Sequence, residues 1–123
     1  MKTHTYDFGN GVACTLKVLD KPSEGSQGSM FEAAGPEDTR RYVAWINSIN
    51  KQLASEWNAS LCHVFRTAPY AWEAWGYWPG KPSVFLGKVT GKMDLQPIKV
   101  AADKAAKKMG LPVGLFSHIT VEQ

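Results

Sequence analysis

The apolar patterning along the chain predicts a two-layer α+β domain: a mostly antiparallel sheet of about six strands with two helices on one face, in the order ββαβββαβ. Three observations carry that expectation. Alternating residues flank an Asn-Gly pair near the start, two amphipathic stretches recur at helical spacing, and three consecutive strand-like runs are joined by connections too short for a parallel crossover.

His4, Tyr6 and Phe8 alternate with Thr3, Thr5 and Asp7, and after Gly9-Asn10-Gly11 the row Val12, Cys14, Leu16 and Val18 alternates with Ala13, Thr15 and Lys17. Asn and Gly accept the positive φ of a tight turn, so this reads as a β-hairpin. It places Cys14 in an apolar row, where a thiol behaves as a small hydrophobe. The stretch from Asp20 to Ala34 is rich in Ser, Gly and Pro without any period, and residues 21–34 are expected to form a flexible loop.

Pro36 opens a helix, with Glu37 and Asp38 against the positive end of its dipole. Tyr42, Trp45, Ile46, Ile49, Leu53 and Trp57 form its inner stripe, while Arg40, Arg41, Asn47, Ser48, Lys51 and Ser55 fill the opposite side. Leu61 to Arg66, Tyr70 to Trp78 and Val84 to Val89 read as an antiparallel meander. A second helix runs from Pro97 to Met109, with Ile98, Ala101, Ala102, Ala105 and Met109 inward and Gly110 as its stop. Val113 to Val121 alternates into a last strand.

The chain has 123 residues, the length of a single domain spanning 1–123. Hydrophobic residues make up 44% and charged ones 20%, which excludes an intrinsically disordered chain. No apolar run approaches the roughly 18 residues of a membrane span, and Met1 to Asp7 lacks the apolar core of a secretion signal. Two cysteines are too few for a disulfide framework. A soluble, cytoplasmic protein is expected.

The net charge of +3 is carried by the C-terminal half, where the cations are lysines apart from Arg66. Lys99, Asp103 and Lys107 lie four apart and make ordinary surface pairs, and Lys104 and Lys108 suit the end of the helix. A nucleic-acid binder carries a stronger, arginine-richer footprint, so nucleic acid is not the expected partner.

One stretch stands apart. Tyr70-Ala71-Trp72-Glu73-Ala74-Trp75-Gly76-Tyr77-Trp78 holds three of the five tryptophans. On a strand, Trp72 and Trp78 point one way with Ala74 and Gly76 between them, and Glu73, Trp75 and Tyr77 point the other way. Rings on both faces require a central or doubly covered strand. A carboxylate among rings is costly to bury ionised and alone, so Glu73 needs a cation, a proton or water. If Arg66 or Lys88 supplies the cation, the arrangement is structural; otherwise an external organic cation fits, since tryptophan and tyrosine faces attract it.

Other constellations carry less. Cys62 and His63 are adjacent, but strand neighbours face opposite sides and cannot act together. His4, Cys14, Cys62, His63 and His118 lack the paired spacings of zinc sites, and no metal is expected. Gly87-Lys88-Val89-Thr90-Gly91-Lys92 falls one residue short of a phosphate loop and has Met93 where a hydroxyl belongs. Asn58-Ala59-Ser60 is a glycosylation sequon in form only. With no carboxylate pair, Ser-His-Asp order or cofactor fingerprint, the reading leans away from an enzyme and expects no cofactor.

The leading expectation is a small-molecule-binding domain for an organic cation or flat aromatic compound, with its pocket near Trp72, Glu73, Trp75, Tyr77 and Trp78 and the 21–34 loop as its rim. The alternatives are a homodimer formed through the sheet face that two helices leave bare, and weak nucleic-acid binding through the lysine-rich half. Light scattering separates the first alternative, and salt-dependent association the second.

Overall fold

The computed structural model describes residues 2–9, 12–18, 28–30, 36–68, 71–90, 94–113 and 118–121, the strands before residue 36 by their backbone alone. Its elements are β1 (Lys2–Gly9), β2 (Val12–Val18), β3 (Gly28–Met30), α1 (Pro36–Trp57), β4 (Leu61–Ala68), β5 (Ala71–Tyr77), β6 (Val84–Thr90), α2 (Gln96–Lys108) and β7 (His118–Val121). None of the described helices is long and apolar enough to cross a membrane.

The expected single sheet of six strands is not what forms. The strands divide into a three-stranded sheet, β1-β2-β3, and a four-stranded sheet ordered β6-β5-β4-β7. In the first, β1 and β2 pair antiparallel with Tyr6 opposite Cys14 and Gly9 opposite Val12, the register of the hairpin read from the Asn-Gly signal. Gly28 to Met30, within the stretch expected to be a loop, pairs with β2 as a third strand. Residues 21–27 and 31–34 of that expected loop lie outside the described residues.

In the second sheet β4, β5 and β6 form the antiparallel meander, whereas β7 joins β4 in parallel, Leu61 opposite His118 and Val64 opposite Val121. The 27 residues between β6 and β7, α2 among them, make this parallel pairing reachable.

The helices do not share a face. Tyr42, Ile46, Leu53 and Ala54 of α1 pack against Leu61, Phe65 and Tyr77. Ile98 and Ala102 of α2 pack against Cys62, Val64, Trp72, Ala74, Leu86 and Val89. Successive strand residues face opposite sides, so α1 covers the odd-numbered side of β4 and α2 the even-numbered side. Around the four-stranded sheet the described residues thus form three layers, helix, sheet and helix, rather than two. The cause lies in β4. Leu61, Cys62, His63, Val64 and Phe65 are all buried, and a strand with no polar side must be covered twice. The bare sheet face that motivated a face-to-face homodimer is therefore occupied by α2.

Both helices end on backbone hydrogen bonds. Asn58 adopts a left-handed φ of 49°, the Ala59 N–H donates to the Ala54 carbonyl at 3.1 Å and the Asn58 N–H to Ser55 at 3.3 Å. At α2, Gly110 takes φ 74°, the Leu111 N–H reaches Ala106 at 2.9 Å and the Gly110 N–H reaches Lys107 at 3.1 Å. Each is a Schellman closure, which satisfies the last carbonyls. The buried stripe of α2 is Ile98, Ala102 and Ala106, a strict four-residue step that turns Met109 away from the centre of the contact.

Candidate functional site

β5 sits inside the four-stranded sheet, between β4 and β6. Its even-numbered Trp72 and Ala74 enter the α2-side core, with Gly76 buried on the same row; odd-numbered Trp75 and Tyr77 belong to the α1 side, and Glu73 shares their row. The sheet therefore separates the five residues expected to line one pocket. Trp72 lies on one side and Glu73, Trp75 and Tyr77 on the other. Trp78 follows the strand end and is buried, and its carbonyl accepts from the Lys81 N–H at 3.0 Å across Pro79-Gly80. Proline followed by a glycine at φ 69° is the requirement of a type II turn.

Glu73 is half-buried, and its Oε1 accepts a hydrogen bond from the Trp75 indole N–H at 3.2 Å. Phe65 stands opposite it on β4 and Lys88 on β6. Among the described residues no ion pair forms to Glu73, Lys88 included. Arg66, the other expected counter-charge, is the cross-strand partner of Trp72, and its guanidinium lies 5.1 Å from that ring's centroid. It thus makes a cation–π contact on the opposite side of the sheet from Glu73.

Beside the carboxylate, the Trp75 ring meets Phe85 edge to face, with centroids 5.4 Å apart at 61°. Phe85 is 46% exposed, and among the described residues α1 packs chiefly on β4 and β5 of that face rather than on β6. Glu73, Trp75 and Phe85 form one patch at the edge of the sheet: an oriented carboxylate beside two rings.

Tyr77 lies beneath α1, fully buried. Its hydroxyl donates to Asn47 Oδ1 at 2.6 Å, and burial pushes its phenol above the ordinary tyrosine value. Asn50 also hydrogen-bonds Tyr77, and its Nδ2 lies 2.9 Å from His63 Nδ1. Asn47, Tyr77, Asn50 and His63 thus make a continuous polar chain through the α1 interface, and the His63 ring packs edge to face on Phe65. The sequence reading missed this chain and placed Asn47 on the solvent side. Its signal was Asn50, an amide between Ile46 and Leu53 in an otherwise apolar stripe.

Cys62 and His63 face opposite sides, as strand geometry requires. Burial pushes the Cys62 thiol up to about 12, so it is protonated at neutral pH and is no nucleophile. Among the described residues no three His, Cys, Asp or Glu side chains converge as metal ligands. The side chains of His4, Cys14 and His118 lie outside the described residues. Compared with known proteins, this chain matches no family model, no curated sequence and no solved structure.

Proposed function

We propose that the chain is a small-molecule-binding domain that takes an organic cation with an aromatic or methylated head on the patch of Glu73, Trp75 and Phe85. One observation carries the reading: a half-buried carboxylate is oriented by an indole N–H at 3.2 Å and flanked by rings, with no ion pair to it among the described residues. The carboxylate supplies the charge, and the two ring faces add roughly 0.5–2 kcal/mol each as water is excluded. In this reading Tyr77 is the buried floor that positions β5 under α1. Trp72 and Trp78 support the strand from its other side and end, and touch no ligand.

Benzyltrimethylammonium is a suitable probe. It quenches tryptophan fluorescence and raises the melting temperature, and Glu73→Gln weakens both effects by about tenfold in affinity, the equivalent of ~1.4 kcal/mol. Unchanged fluorescence and melting across a panel of aromatic and quaternary ammonium salts would overturn the reading.

A further inference from the structure

The margin that bears this patch is also the end of the sheet: in the order β6-β5-β4-β7, β6 has no ladder on its outer side among the described residues. Edge strands usually carry a lysine or a bulge that discourages pairing, and β6 has both. Lys88 is exposed, and the register slips so that Ala74 faces Gly87 while Trp75 faces Phe85, leaving Leu86 as the extra residue. Here the two devices have an unusual symmetry. Val84, Leu86 and Val89 belong to the α2-side core, and a Cβ on Gly87 would meet Ile98 on that same side. Phe85 and Lys88 face the α1 side, opposite Trp75 and Glu73. Read in either direction, the facing pattern from 84 to 89 is the same.

We infer that a second copy of this chain pairs antiparallel with β6 about a twofold axis between Leu86 and Gly87. In that register Val84 meets Val89 of the second copy, bulge meets bulge, and Phe85 meets Lys88 of the second copy, so every residue keeps its face. Each Lys88 then lies between Glu73 of its own chain and the Phe85–Trp75 pair of the other. The lysine that would repel an indifferent strand becomes the cation that the rings of the other copy's patch receive, balanced by Glu73 across the ladder of its own chain. The inference rests on the proposal that this patch accepts cations and names its protein occupant.

Sedimentation equilibrium of the full chain tests it, with tryptophan quenching followed in the same samples. The expected result is a dimer at micromolar concentration that Lys88→Glu and, independently, Phe85→Ser weaken by about tenfold or more. Benzyltrimethylammonium shifts it toward monomer because it competes for the same rings. Circular dichroism of both variants reports that they fold, and either folded variant suffices. A wild-type monomer at high micromolar concentration overturns the inference, as does a dimer indifferent to both variants. A monomer whose tryptophans the salt still quenches overturns the dimer alone; a monomer without quenching overturns the cation patch as well.

Discussion

Asn50 occupies a position on α1 where an apolar side chain is the default, and it is fully buried together with the almost fully buried His63. Its amide is the link between the His63 ring and the Tyr77 hydroxyl, so truncation leaves buried polar atoms unpaired. Such orphans cost about 1–3 kcal/mol. Asn50→Ala should lower the urea midpoint accordingly with its m-value unchanged, and a loss below the error of the measurement would show that the chain is energetically idle. Cys62 gives a second expectation at this scale. The α2-side core accepts only the neutral thiol, whose value is raised from 9.0 to about 12. Its contribution to stability is therefore complete below pH 9.0 and is lost as pH rises toward about 12, because the unfolded chain ionises first. Unfolding midpoints should fall across that window, and Cys62→Ala should flatten the fall. Tyr77, raised in the same direction by burial, continues the decline above 10.0, the value for an unburied tyrosine. At this scale the sequence was legible for the ring-bearing residues of β5 and misplaced Asn47, which helical period assigns to the solvent side but which accepts from a hydroxyl thirty residues away.

β6 shows how one residue sets the path of an element. Gly87 holds φ 146°, and a Cβ there would come within 3.3 Å of Ile98 Cδ1. Gly87→Ala meets both the backbone strain and the helix, and should destabilise the fold by about 1–3 kcal/mol in denaturant titrations. A neutral result would mean that α2 can shift freely over the bulge. Most elements were readable because their signals are local: the hairpin through Asn-Gly, both helices through apolar period and a terminal proline, and α2's end through Gly110. β3 was not. Gly28-Ser29-Met30 has no strand signature of its own and is extended because β2 offers Thr15 to Lys17 as a template.

Among the described residues the core is two apolar clusters separated by the four-stranded sheet, with β4 and β5 contributing to both. Ile46 and Ile98 lie in different clusters and share no layer. Ile46→Val and Ile98→Val should each cost about 0.5–1.5 kcal/mol, and the double variant should equal their sum within about 0.5 kcal/mol. A larger deviation in equilibrium unfolding would mean that the sheet transmits strain from one core to the other. By itself the sequence determined where the chain turns, which segments are helical, and that β5 carries rings on both faces, since each depends on neighbours a few residues apart. Only the tertiary structure decided that the strands part into two sheets, that β7 runs parallel to β4, and that α1 and α2 take opposite faces. Those outcomes turn on where a doubly apolar strand finds its two covers. That choice is settled by the summed burial of distant residues, which no local period records.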